Sequence, residues 1–340
     1  MPESIGEIDW SGLFSFACKQ AIAGVLFDGV NRLPKEMVPP RELLMKWFAM
    51  SEQIRKRNMQ LNADAVEVYN MFRSAGFRCC VLKGQGNAMM YDNRFARTPG
   101  DIDLWVNADR KAIMNYVGKN FGVRGLRYHH VELDMKGATD VEVHFFPLNM
   151  NNPINNSRLQ KWFGRVGDLQ CSNVVELPDG VGKMAVPTNE FNRVYQLAHI
   201  FHHFFDEGIG LRQLMDYYYL LNDMQSSAND EYVIALLKRF GLYKFARAVM
   251  YVEQRVFGLD DRQMYVEPDA KAGEMLLEEI LNGGNFGRYY TKYGEFTKQS
   301  TAKKYFLKVY RNLHFIKEYP AEALSEPIFR TWHFFWRLRQ

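Results

Sequence analysis

The chain has 340 residues, 47% of them hydrophobic and 24% charged, with 43 Lys/Arg against 39 Asp/Glu. This balance excludes a disordered, collagen-like or coiled-coil chain, and no apolar run reaches the roughly 20 residues of a membrane-spanning helix. The net charge of +4 is uneven: residues 288–340 carry eleven Lys/Arg and four Glu, so a slightly acidic body ends in a basic segment.

At roughly 150 residues per domain, the length fits about two domains or one core with large additions. Residues 1–7 have no basic stretch leading into an apolar one, so no signal peptide is expected. Cys18, Cys79, Cys80 and Cys171 form no CxxC pair and predict free thiols in a reducing cytoplasm. Residues 10–28 predict one or two helices. Pro34, Pro39 and Pro40 interrupt them, and apolar spacing from Leu43 to Phe72 predicts a long helix over 41–75 with Gly76 as its stop.

The pattern then changes. Cys79–Leu82 reads as a buried strand, followed by Lys83-Gly84-Gln85-Gly86 and a helix to about Tyr91. Ile102–Val106 alternates as a strand and 108–121 reads as a helix. Tyr128–Met135 and Asp140–Phe146 form a hairpin through 136–139. Residues 78–148 therefore make a compact α+β unit, between an N-terminal helical region (1–77) and a mainly helical C-terminal region (149–340). In the latter, 147–156 reads as an Asn-rich loop, and helices are expected at 190–205, 211–224, 231–240, 244–257, 270–281 and 302–319.

The chemistry concentrates at Gly100-Asp101-Ile102-Asp103-Leu104. On a strand, Asp101 and Asp103 share one face. Two adjacent carboxylates repel, and a divalent cation such as Mg²⁺ is one way to offset that. In Asp140-Val141-Glu142-Val143-His144, Glu142 and His144 share a face. If that strand lies beside the first, Glu142 completes a carboxylate triad able to hold two ions. The glycines of Lys83-Gly84-Gln85-Gly86 would let backbone approach a phosphate, with Lys83 as a point charge and Arg94 and Arg97 adding positive charge. Each piece alone is commonplace: a solvated turn explains a DxD, and a plain turn explains two glycines.

Together, Cys80-Val81-Leu82-Lys83-Gly84, Tyr91, Arg97, Gly100–Leu104 and Val141–His144 resemble an uncharacterised bacterial branch of the polymerase-β-like nucleotidyltransferase superfamily. The resemblance covers about 79–146 and extends loosely over 197–203 and 208–216. It implies an α+β fold with a small mixed-sheet nucleotidyltransferase core. It further implies Mg²⁺-dependent transfer of a nucleoside monophosphate from an NTP such as ATP to an acceptor. Asp101 and Asp103 would bind metal, Glu142 would be the third acid, and Gly84 would sit in the phosphate-binding turn. Gln85 stands where the wider superfamily has Ser or Gly, which leaves Lys83 as the substitute phosphate contact. The expected reaction is in-line attack of an acceptor hydroxyl, on a small molecule, sugar or protein, at the α-phosphate.

Other features admit two readings. His199 and His203 are spaced i, i+4 as zinc ligands can be, but position 200 is Ile rather than the Glu of a zincin, so packing at an interface explains them as well. His202, His203 and Arg212 are candidates for the substrate cleft, although Arg212 and Asp216 also fit a helix-face ion pair. His144 would orient a metal-bound carboxylate or pack as a buried histidine. Lys303, Lys304, Lys308 and Arg311 read as a solvated basic face, with a polyanion or membrane surface as the alternative, and aromatic 327–336 is expected to pack onto the protein. The competing functions are a catalytically silent nucleotide-binding or antitoxin-like regulator of the same fold, and an RNA-binding protein using the basic tail.

Overall fold

In the computed structural model, which describes residues 8–135, 139–223, 228–290 and 300–339, helices α1 (Trp10–Lys19) and α2 (Ala23–Val30) precede the long α3 (Arg41–Ser74). Asp9 caps α1 by accepting from the Gly12 N–H. Gly76, at φ +88°, takes the left-handed position that ends α3.

The central sheet is built from β1 (Cys79–Leu82), β2 (Ile102–Val106), β3 (Gly122–Leu126), β4 (His130–Asp134) and β5 (Val141–His144), with α4 (Gly84–Ala88) after β1 and α5 (Arg110–Asn120) after β2. Its order is β1-β2-β5-β4-β3. β2 and β5 pair in parallel and the other neighbours are antiparallel, so the sheet is mixed and the fold is α+β. A parallel neighbour requires a crossover. Here α5 and the β3–β4 hairpin supply it, which is what brings β5 beside β2.

Strand β3 is an addition to the expected elements. Its first three residues are exposed at the sheet edge, and its register shifts between Val123 and Gly125, so it lacks the buried alternation that marks a strand in sequence. The expected hairpin forms as β4 and β5, while 136–138 of its connection lie outside the described residues. The Asn-rich stretch is partly a helix start rather than a loop. Asn152 accepts from the N–H groups of Ile154 and Asn155, and Pro153 opens α6 (Pro153–Gln170). A small hairpin of β6 (Val174–Glu176) and β7 (Lys183–Ala185) follows.

Helices then dominate: α7 (Asn189–Asp206), α8 (Leu211–Leu221), α9 (Asp230–Arg239), α10 (Tyr243–Val252), α11 (Ala270–Gly283), α12 (Thr301–Leu313) and α13 (Pro320–Arg337). The helix expected to run to Met224 ends at Leu221, and Met224 lies outside the described residues. Among the described residues no helix is long and apolar enough to cross a membrane. All four cysteines are free thiols.

Both faces of the sheet are covered. On one, Cys79 faces Tyr69 of α3, and Ile102, Leu104 and Val106 are buried. On the other, Trp105 stacks on Phe191 of α7 at 5.9 Å. Asp103 shares that second face with Trp105. The acidic side of β2 is thus buried beneath α7, and all five residues of the strand are buried.

Candidate active site

Register assembles the site. Asp103 on β2 lies opposite Glu142 on β5, and Trp105 lies opposite His144. On the far side of β5, Glu132 and His130 of β4 lie opposite Glu142 and His144. One sheet face therefore presents Asp103, Glu142, His144, Glu132 and His130 side by side.

Asp103 is only 3% exposed, and two cations within the chain hold it. Its Oδ2 accepts from Lys83 Nζ at 3.0 Å. Its Oδ1 accepts from His144 Nε2 at 2.9 Å, and that nitrogen lies 3.4 Å from Glu142 Oε2. Burial pushes the Asp103 carboxyl up, but Lys83 and His144 outweigh burial and hold it well below the ordinary carboxylate range. The same contacts overcome burial at His144, and the bonds to Asp103 and Glu142 raise its imidazole to about 9. The repulsion expected between neighbouring carboxylates is thus offset by Lys83 and His144.

Asp101 stands slightly apart. It precedes β2 and is exposed. Ligand atoms of Asp103, Glu142 and His144 lie within 4.8 Å of one another, whereas Asp101 joins no such group among the described residues. His144 thus stands with Asp103 and Glu142, and Asp101 adds its charge beside them. Asp103 and partial enclosure push the Asp101 carboxyl up to about 6.

The turn after β1 is strained. Lys83 has φ +49° and ψ −136°, a region that non-glycine residues rarely occupy. Gly84 follows at φ +43°. This backbone carries Lys83 across to Asp103 and to His199, whose Nε2 accepts from Nζ at 2.9 Å. The Gln85 side chain is buried and its amide donates to Asn62 Oδ1. Gly86 is needed for packing: a Cβ there would lie 3.1 Å from Val186 Cγ1.

Arg97 is also redirected. Its Nε and Nη2 donate to Asp216 Oδ1 and Oδ2 at 2.7 and 2.8 Å, and Tyr91 OH donates to the same Oδ1 at 2.6 Å. All three residues are buried. The expected Arg212–Asp216 helix pair is therefore replaced by a tie between the loop before β2 and α8. Arg212 instead donates to the Thr98 carbonyl at 3.3 Å, and its buried Nε has no hydrogen-bond partner. Its Nη1 would lie 3.5 Å from a Cβ placed at Gly100, which puts the guanidinium beside the acidic loop.

Along α7, His203 Nε2 lies 3.0 Å from His199 Nε2. Among the described residues no third ligand joins that pair, and Lys83 occupies its open side, so the zinc reading is not carried by them. Burial pushes the His203 imidazole down to about 3 and lowers His202. The basic tail is only partly solvated. Arg311 is buried against the Phe204 carbonyl, and Lys308 and Arg330 reach Asp206 Oδ1 at 3.6 and 2.5 Å. Trp332 and Trp336 pack on Tyr128, but Ile328 and Phe335 of the same helix are exposed, so the aromatic end packs on one side only.

His129 and His130 are not among the residues that the sequence singles out. Their signal was present: His130 and Glu132 alternate with the same period as Glu142 and His144. Two such strands paired in register place all four together.

Residues 6–258 match the model of a family described as uncharacterised nucleotidyltransferase. No curated protein matches the chain. Among solved structures it is similar to an antigenic nucleotidyltransferase-like protein from Paracoccidioides brasiliensis, at 12% identity and a TM-score of 0.38, over 63% of this chain and 96% of that one.

Proposed function

The chain belongs to this uncharacterised nucleotidyltransferase family, and from that premise we propose that it moves a nucleoside monophosphate from an NTP to an acceptor hydroxyl with the help of Mg²⁺. The observation that carries this reading is the register of Asp103 with Glu142 on adjacent strands, beside the strained turn that delivers Lys83. Asp103, Glu142 and the nearby exposed Asp101 are oxygen donors of the kind Mg²⁺ takes, so the residues present fit the ion the family implies. When bound, it would neutralise phosphate charge in the transition state.

The chain's own groups have these roles. Lys83 and the Gly84 turn hold the β- and γ-phosphates, and Arg212 meets the triphosphate from the side of the acidic loop. Glu142 takes the proton of the acceptor hydroxyl. The acceptor oxygen bonds to the α-phosphorus as the bond to the bridging oxygen breaks, and pyrophosphate leaves. The acceptor side is formed by His202, His203 and neighbouring groups of α7, with the C-terminal region as its wall.

A second reading has its own support. Both oxygens of Asp103 already hold cations of this chain, Lys83 and His144. That arrangement also suits a silent nucleotide binder. The test is incubation with Mg²⁺ in cell extract, using each NTP labelled at the α- or the γ-phosphate. Label passing to an acceptor from the α-position alone supports the transferase. Nucleotide binding without transfer in any fraction supports the silent binder.

A further inference from the structure

Six of the eight histidines gather near the acidic pair, and nucleotidyl transfer gives no role to His129 or His130. His130 lies directly opposite His144 across the β4–β5 ladder. His129 sits just before β4, where its carbonyl accepts from the Phe145 N–H at 2.9 Å. This bend turns the His129 ring toward the other two, with ring centres 4.5 Å from His130 and 5.4 Å from His144. His130 and His144 are 5.2 Å apart. One ring nitrogen of each lies within 4.8 Å of the others.

The second observation is the state of those nitrogens. His130 is 7% exposed, and neither of its buried ring nitrogens makes a hydrogen bond. Its nearest carboxylate oxygens, Glu142 Oε2 at 3.2 Å and Glu132 Oε1 at 3.8 Å, lie within ionic reach only. His144 spends Nε2 on Asp103, while its buried Nδ1 has no partner. Buried polar atoms are rarely left unpaired without a reason. Imidazole lone pairs suit zinc-class transition metals, whereas Mg²⁺ takes oxygen donors.

We propose that His129, His130 and His144 form a binding site for a transition-metal dication of the zinc class, adjoining the Asp103–Glu142 position. The site has three nitrogen donors with the Glu142 carboxylate beside His130, and metal binding at His144 displaces a proton from that ring. The site differs from the carboxylate position in donor type, and it stands whether or not the protein transfers nucleotides.

The test uses Co²⁺ as a visible probe on the full chain after metal stripping. One equivalent of Co²⁺ is expected to give the absorption of a tetrahedral centre, which Zn²⁺ displaces and excess Mg²⁺ does not. His129→Gln and His130→Asn should each weaken Co²⁺ binding by more than the roughly 10–100-fold that loss of a mere supporting contact costs. Circular dichroism and melting check that each variant is folded. If His130→Asn does not fold, His129→Gln decides alone, since His129 is less buried than His130. No tetrahedral band at saturating Co²⁺, displacement by Mg²⁺, or an unchanged affinity in a folded variant would overturn the site.

Discussion

The Arg97–Asp216 pair separates two accounts of the same arginine. The sequence places Arg97 just ahead of the DxD, where it would suit a phosphate. The structure buries it against Asp216 through two parallel bonds, with Tyr91 as a third partner. Asp216→Asn keeps the shape but leaves the guanidinium without its counter-charge. Removing one member of a buried pair costs about 3–5 kcal/mol. Arg97→Lys keeps the charge and loses the fork, so it also destabilises. The Arg97→Gln/Asp216→Asn double variant should cost less than the sum of the single changes, by about 0.5–3 kcal/mol. Urea unfolding followed by tryptophan fluorescence measures this, with midpoints moving at unchanged slope. Nucleotide affinity of the folded Arg97→Lys protein should match the parent. A loss of stability below about 1 kcal/mol, the size of an exposed pair, together with a large loss of nucleotide affinity, would refute the structural role.

Other outcomes follow from single contacts. A Cβ at Gly24 would lie 2.3 Å from the Ala96 carbonyl oxygen, so Gly24→Ala should lose about 1–3 kcal/mol in the same unfolding assay. Gly29→Ala, on the same helix with nothing within 4 Å of the added carbon, should be neutral or stabilising by up to about 1 kcal/mol. Burial raises the Glu322 carboxyl to about 7, against the pull of the Asn151 and Asn152 N–H groups. Its folded value lies above its unfolded one, so its contribution is complete below about pH 4.5 and is lost as pH rises through about 7. Urea midpoints across that range should show this loss, and Glu322→Gln should remove that part of the pH dependence.

The α+β unit is legible because its signals are local. The apolar run of β1, the alternation of β2 and the Gly76 stop each declare themselves within a few residues. Glu142 was found because β5 alternates as cleanly as β2. What stayed hidden depends on tertiary partners. Arg97 and Arg212 look equally free in sequence, and only the docking of α8 decides that Asp216 belongs to Arg97. Gln85 sits in a phosphate-like turn, yet α3 claims it through Asn62. Lys83 looks like a phosphate lysine, and only the folded, strained turn shows that it also meets Asp103 and His199. Strand β3 carries no buried face of its own, so periodicity had nothing to register.

If Asp103 and Glu142 work as a pair in nucleotidyl transfer, the reaction needs both. Pyrophosphate release from MgNTP tests it, with the acceptor-containing fraction of cell extract supplied to the wild type, Asp103→Asn and Glu142→Gln. Acceptor-dependent release is expected from the wild type and should be lost in both variants while their melting shows a folded protein. Release that survives in either folded variant would contradict it.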